Sequence, residues 1–436
     1  MSAQGPIQRF EHTKLLIGDE DFEKPHWDAL AVYNEKHGGQ FFDLLHNGVK
    51  FKEYVGVIQV RNLTIEVLPK VDNSDLKENA WQGILLDMLR ECHWMRVHSH
   101  EKASLQYKHN SILDAYLEIY LNACERLLHE GLVKKYRKEE SNLFALKGKL
   151  KFSQHIRRNL VHEERFFTEH ALYDRNNIYN QILLKALKVI PKFTVSAAIR
   201  DKLSRLLLDF PELPDVSVTA ETFQKLTYDR KTERYKEAIE IAAMLLLNYR
   251  PDIRGGHNHV LAILFDMNDL WEEYFFRRLR ASLPLGWHIQ PQPRKVFWAL
   301  EESRQEKRIK PDIVLTNPTG QNIVIDTKWK TPDGFVPSDN DLKQMFVYNE
   351  YWKSQYGILL YPLNELDGHF KGMMGSYPEP IQSDKFRSNC AIMKVDILKP
   401  EGDKKVLNSA FIVDHLIKYV ESPGLMNKSP KEPATF

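Results

Sequence analysis

The segment from Lys310 to Lys330 restricts the possible folds more than any other part of the chain. Pro311-Asp312 leads into an apolar run, Ile313-Val-Leu-Thr316, and Asn317-Pro318-Thr319-Gly320 supplies turn chemistry. A second apolar run, residues 323–326, ends in Asp326-Thr327-Lys328. Two short β-branched runs around an Asn/Pro/Gly cluster read as a hairpin. A hairpin sets the first residue of one strand beside the last residue of the next, which predicts that Asp312 and Asp326 meet at one end. Side chains alternate along a strand, so Asp326 and Lys328 are expected on one face, with Thr327 pointing away. Whatever the rest of the chain does, it must accommodate two carboxylates and a lysine at one sheet end.

Those residue types have a shared chemistry. Mg2+ takes hard oxygen ligands, commonly one or two carboxylates completed by water and phosphate. Asp312 and Asp326 suit that role, with the backbone carbonyl of Thr327 as a further candidate, and Mn2+ is expected to substitute. Such a metal polarises a phosphate and lowers the pKa of bound water. Lys328 is expected to orient or help deprotonate the attacking water and to offset developing charge. Gln344 and Tyr348 are spaced i, i+4 on a predicted helix, which puts both on one face. Upstream, the amphipathic pattern over residues 270–279 predicts a helix carrying Glu272 and Glu273, and the sequence leaves open which of the two joins the cluster.

The remainder divides by texture. Residues 1–80 read as β-rich, with a hairpin predicted from residues 55–60 and 63–68 around Arg61-Asn62. Residues 81–255 show three-four apolar spacing and read as a helical middle domain. Pro251 and Gly255-Gly256 mark a boundary, residues 256–420 form a third unit, and residues 421–436 read as a disordered tail. Residues 289–298 look extended, with Pro291 and Pro293 demoting them to an edge or irregular strand. No apolar run is long enough to span a membrane. The N-terminus lacks a signal-peptide pattern. Cys92, Cys124 and Cys390 are scattered, as suits a reducing cytoplasm.

Net charge is only +2, yet residues 134–158 hold nine Lys/Arg against two Glu. Lys147, Lys149, Lys151, Arg157 and Arg158 are therefore nucleic-acid candidates, weighed against a solvated helix-loop surface. His98-Ser-His100 and His257-Asn-His259 read as surface loops. Trp271, Trp298 and Trp329 read as core.

The order Glu272, Asp312, Asp326-x-Lys328, Gln344-x-x-x-Tyr348 resembles the PD-(D/E)XK nuclease superfamily with a RecB-like final helix. More narrowly, the chain resembles the McrC family, on Ile65-Glu-Val-Leu-Pro-Lys70, on Phe144-Ala-Leu-Lys-Gly-Lys-Leu150 with Arg157-Arg158-Asn159, and on Phe265-Asp-Met-Asn268. The resemblance covers about residues 15–400. It implies an α+β multidomain protein whose C-terminal α/β nuclease domain has a mixed central sheet. It also implies a Mg2+-dependent DNA endonuclease subunit that cuts double-stranded DNA, modified or not. Residues 1–80 would dock on, and stimulate, a McrB-like AAA+ NTPase hexamer. The sequence contains no Gly-x-x-x-x-Gly-Lys-Ser/Thr loop, so nucleotide hydrolysis falls to another chain. The alternatives are a scaffold that activates the NTPase and uses its nuclease domain to bind DNA, and a stand-alone RecB-type repair nuclease.

Overall fold

The computed structural model describes residues 5–70, 78–92, 94, 111–193, 195–250, 259–300, 305–330, 332, 334–363, 371–377, 388–396, 398–401 and 404–407. The predicted boundary at Pro251 and Gly255-Gly256, His98-Ser-His100, His257-Asn258 and the tail lie outside these residues. The fold is mixed α/β, with helices and several sheets.

The N-terminal part is built on strands β1 (Ile7–Phe10), β2 (Lys14–Leu16), β3 (Phe42–Leu45), β4 (Gly48–Phe51), β5 (Tyr54–Val60) and β6 (Leu63–Leu68). The β5–β6 hairpin forms as predicted, with Arg61 at φ 53° in the turn. Helix α1 (Lys24–Lys36), absent from the β-rich reading, buries His26, Ala29, Leu30 and Tyr33 along one face. It starts at a capping box between Glu23 and His26, with Pro25 in the first turn.

The helical middle contains α2 (Glu78–Glu91), α3 (Ile112–His129), α4 (Phe152–Asn159), α5 (Ile178–Val189), α6 (Ala197–Asp209), α7 (Ala220–Gln224) and α8 (Lys236–Asn248). Into it is set a three-stranded sheet, β7 (Lys135–Leu143), β8 (Lys149–Leu150) and β9 (Phe166–Asp174), in the order β7-β9-β8. The basic segment thus combines strand over 135–143 and 149–150 with loop and the helix that begins at Phe152, so part of the helix-loop surface considered from sequence is strand instead. Charged side chains pair across the ladder, Arg137 with Asp174 at 2.9 Å and Lys138 with Glu169 at 3.5 Å, which offsets the low strand propensity of such residues.

After β10 (Tyr249–Arg250), strand β11 (Val260–Asp266) pairs antiparallel with β5 along its whole length, Val260 opposite Val60 and Asp266 opposite Tyr54. Residues assigned from sequence to the start of the third unit therefore complete the N-terminal sheet, in the order β1-β6-β5-β11-β10. Gly56, at φ 139°, lets the strands approach, since a Cβ there would sit 2.2 Å from the Ile263 carbonyl oxygen.

Helix α9 (Met267–Ser282) follows directly, its first N–H groups accepted by the Asp266 carboxylate. Next come β12 (His288–Pro291), β13 (Lys295–Ala299), β14 (Glu306–Ile309), β15 (Ile313–Thr316), β16 (Asn322–Thr327), helix α10 (Asp339–Trp352), β17 (Ser354–Leu363), β18 (Lys371–Ser376) and β19 (Asn389–Asp396). Six of these strands form a mixed sheet in the order β12-β15-β16-β17-β19-β18, with β12 at the edge where its proline belongs. β15 and β16 are antiparallel, and β16, β17 and β19 run parallel.

The two faces of this sheet go to different cores. Ile313, Leu315, Ile323 and Ile325 join Trp271 and the middle helices, whereas Val314, Val324 and Leu359 pack against Met345, Tyr348 and Trp352 of α10. Alternation carries Asp326 and Lys328 to the α10 face and Trp329 to the other.

Candidate active site

The ladder pairs Ile313 with Ile325, so Asp312 and Asp326 lie at the same end of the hairpin. Asp312 stands just before the paired part of β15, and its carboxylate reaches the neighbouring strand. Its Oδ2 accepts the Thr327 backbone N–H at 2.7 Å and the Thr327 hydroxyl at 2.9 Å. Thr327, expected to point away from the cluster, is the residue that fixes Asp312. The reason is positional: outside the ladder, Asp312 is free to turn across to it.

Asp326 is 1% exposed. Lys328 Nζ lies 2.7 Å from its Oδ2 as an ion pair. The Lys328 backbone N–H donates to the Leu360 carbonyl at 2.8 Å, holding the lysine to β17. From Nζ a chain of bonds runs along α10. Lys328 donates to Gln344 Oε1 at 3.1 Å, Gln344 Nε2 donates to the Tyr348 hydroxyl at 2.8 Å, and that hydroxyl donates to the Lys310 carbonyl at 2.9 Å. Gln344 and Tyr348 thus meet the cluster on the face their spacing predicts.

Of the two adjacent glutamates, Glu272 faces the cluster. Its Oε1 accepts from Gln292 Nε2 at 2.6 Å, and Gln292 in turn donates its backbone N–H to the Asp312 carbonyl at 2.7 Å. Glu273 is engaged elsewhere, with Arg277 at 2.5 Å.

Electrostatics favour a cation here. Burial, then the neighbouring negative Asp312, raises the pKa of Asp326 and of Glu272 to about 7. Burial also raises Asp312, against the pull of the Thr327 donors. Lys328 loses hydration by burial, but the attraction of Asp326 and the other acids outweighs that and raises its pKa. The lysine is held as an ammonium. Among the described residues no three His, Cys, Asp or Glu side chains close into a metal cage. An octahedral ion completed by water and phosphate needs no such cage, and the buried Asp326 carboxylate beside Asp312 has the hard oxygens that a ligand role for one requires.

Three participants are not among the residues singled out from the sequence. Gln292 sits at φ 46°, a backbone state that its residue type does not announce. Asp341, 6% exposed in the first turn of α10, accepts from Lys330 Nζ at 2.6 Å and lies 3.9 Å from Lys328 Nζ. Burial works against its charge, but the hydrogen bonds from Lys330 and Ser338 lower its pKa on balance. Lys328, Lys330 and an acid just after the Ser338 cap could have been connected from alternation and capping alone. Third, Glu11 accepts the Trp329 indole N–H at 2.7 Å, so the N-terminal part holds the residue next to Lys328.

Trp271 and Trp329 are buried and pack 5.5 Å apart, as a core reading predicts. Trp298 contradicts that reading: it is 51% exposed, because among the described residues β13 pairs only with β14 and joins no larger sheet. The basic candidates are not part of this cluster. Lys147, Lys149, Arg157 and Arg158 are exposed on or beside β8 and α4, the Arg158 guanidinium lying over the Phe167 ring, and Lys151 is neutralised by Glu140 at 2.8 Å and Glu169 at 2.9 Å. The cysteines are buried, and burial raises their thiol pKa values.

A family model described as McrBC 5-methylcytosine restriction system component matches residues 49–362, which include Glu272, Asp312, Asp326, Lys328, Gln344 and Tyr348 but not Glu11. The chain belongs to this family. The McrBC fold is also evident among solved structures. A chain of the refined half-complex from a tetradecameric assembly of Thermococcus gammatolerans McrB AAA+ hexamers with bound McrC is similar at TM-score 0.67 and 19% identity, covering 90% of this chain and 94% of that one. A chain of the Thermococcus gammatolerans McrBC complex is similar at TM-score 0.50 and 20% identity, covering 63% and 87%. No curated protein matches. Among the described residues, no helix of this McrBC-family chain is long and apolar enough to cross a membrane.

Proposed function

We propose that this chain is the McrC-type DNA endonuclease subunit of a McrBC-like restriction complex, a PD-(D/E)XK nuclease acting in the cytoplasm with Mg2+ or, as a substitute, Mn2+. The observation that carries the reading is the convergence of Asp312, Asp326 and Lys328 at one sheet end, beside Gln344 and Tyr348 of α10 and Glu272 of α9. A divalent cation bound there supplies Lewis acidity to the scissile phosphate and acidifies water. Asp312 and Asp326 would hold it, with Glu272 as the adjoining acid. Lys328, kept charged, is suited to orient the attacking water and to offset charge on the phosphate rather than to remove a proton. Gln344 fixes the direction of the ammonium, and Tyr348 fixes Gln344.

The related assembly contains McrC bound to McrB AAA+ hexamers, and an equivalent NTPase partner is proposed here. The surface offers a place for it. Eight large apolar side chains between residues 136 and 173 are exposed, among them Phe144, Phe152, Ile156, Leu160 and Val161, at 60–85%. The described part of residues 1–80 exposes two, Val32 and Leu44. Clusters of exposed apolar side chains mark interaction surfaces, so docking is assigned to the unit of β7, β8, β9 and α4 rather than to residues 1–80.

The test is cleavage of duplex DNA by the chain together with its AAA+ partner. Asp326→Ala and Lys328→Ala are expected to abolish cutting while leaving the far-UV spectrum and partner binding unchanged. Cutting at the wild-type rate by either variant refutes the site.

A further inference from the structure

Among the described residues, no further strand flanks the β13–β14 ribbon. Every residue of β13 and the first three of β14 are exposed, and Val296, Phe297, Trp298 and Leu300 present 42%, 49%, 51% and 43% of their surface to solvent. A two-stranded ribbon alone is marginally stable in water, and four adjacent exposed apolar side chains are poor composition for a solvated hairpin.

Its attachment is narrow and specific. Lys295 Nζ donates to the Tyr351 carbonyl at 2.6 Å, the Tyr351 hydroxyl donates to the Phe297 carbonyl at 3.2 Å, and the two rings lie 5.7 Å apart. These contacts are on α10, the helix that carries Gln344 and Tyr348. A β-bulge sits at Phe297, with Val296 opposite Arg308 and Trp298 opposite Lys307. Bulges bend a strand and redirect side chains, often beside active sites. Between ribbon and helix runs a groove of about 490 Å³, lined among others by Phe297, Arg308, Lys310, Lys343, Gln344 and Tyr348. It leads from the exposed Phe297 to Gln344, which bonds Lys328, and to Tyr348, which bonds Gln344.

Charge selects the occupant. Lys295, Lys307, Arg308, Lys310 and Lys343 belong to the ribbon or the groove, and Glu306 is paired with Arg308 at 2.5 Å. Cations interleaved with exposed aromatics match a phosphate backbone carrying stackable bases.

We infer that β13–β14 is a DNA-gripping ribbon: its lysines take backbone phosphates flanking the scissile bond, and Phe297 and Trp298 press into the base stack there. This rests on the nuclease reading and adds to it the element that holds the duplex at the cutting site. Apolar side chains wedged at a base step unstack it and kink the duplex.

The experiment uses the full chain, alone and with its AAA+ partner, in Ca2+ to suppress turnover, on duplex DNA containing 2-aminopurine. Wild type is expected to raise 2-aminopurine fluorescence on binding. Phe297→Ala with Trp298→Ala is expected to abolish that rise and to weaken binding about tenfold. Trp298→Phe should retain both, and Lys307→Ala should lower the log–log salt slope by about one while keeping the fluorescence rise. Because these side chains are exposed, melting temperature is the control for folding. An unchanged affinity and fluorescence rise in the double variant overturns the ribbon while Asp326→Ala still tests the nuclease separately. A double variant that binds DNA normally but loses its NTPase partner also overturns it, since the ribbon is then a protein interface. Wild type that binds no DNA overturns both readings.

Discussion

Glu11→Gln should uncouple the stability of this protein from pH between mildly acidic and mildly basic conditions. Glu11 is 3% exposed. Its Oε1 accepts the Trp329 indole N–H at 2.7 Å and the Lys70 backbone N–H at 2.9 Å, while its Oε2 is buried without a hydrogen bond. Burial dominates these donors and raises its pKa from 4.5 to about 7. A raised folded-state pKa means that the stabilising contribution is complete below the unfolded value and is lost as pH climbs through the folded one. Between about pH 5.5 and about pH 8 that loss comes to roughly 2 kcal/mol for a single group. Glutamine retains an acceptor oxygen for both donors and does not titrate. The stability gap between variant and wild type should therefore move by about 2 kcal/mol in the variant's favour across that range. Urea unfolding at both pH values, followed by tryptophan fluorescence, reads the gap directly. Trp329 and Trp271 report on this region from within the core. An identical gap at both pH values refutes the assignment of Glu11 as a buried, proton-binding link. Glu11→Ala makes a useful contrast: it strands two buried donors and should cost about 2–4 kcal/mol at about pH 5.5, and its gap should close by the same roughly 2 kcal/mol toward about pH 8, because alanine does not titrate either.

Gly357→Ala should destabilise the C-terminal sheet by about 1–3 kcal/mol, because the new Cβ would lie 2.6 Å from Met345 Cε and 2.7 Å from Asn349 Oδ1 and push α10 away; thermal melting checks this. Cleavage should rise with pH through about 7 as Asp326 and Glu272 ionise, and higher Mg2+ should shift the rise to lower pH by favouring the ionised acids. A pH–rate profile that is flat, or indifferent to Mg2+, contradicts the assigned ligands. Phe144→Asp with Ile156→Asp should abolish stimulation of the partner's NTP hydrolysis while leaving the far-UV spectrum intact; unchanged stimulation moves the docking surface elsewhere.

The central cluster was legible because every step in it is local. Period-two alternation sets Asp326 and Lys328 on one face, a four-residue turn brings Asp312 to the same end, and an i, i+4 helix pair adds Gln344 and Tyr348. What failed to show was non-local or conformational. β11 pairs with β5 across roughly 200 residues, and no short-range pattern encodes such a partner or its register. β7 reads as a charged surface segment, and its strand partner β9 lies beyond the intervening β8 and α4, with Lys135 opposite Asp174. Gln292 bridges Glu272 and Asp312 through a left-handed backbone that its residue type does not signal. Trp298 looks like a core residue by type, and only the isolation of its ribbon leaves it exposed.

The most direct test of the central claim is duplex DNA cleavage by the full chain with its AAA+ partner, comparing wild type and Asp326→Asn in Mg2+ and in EDTA. Asparagine keeps the size of the side chain and removes the charge that a cation requires. The account predicts cutting by wild type in Mg2+ alone and none by the variant in either condition. Cutting by Asp326→Asn at the wild-type rate, or by wild type in EDTA, would contradict it.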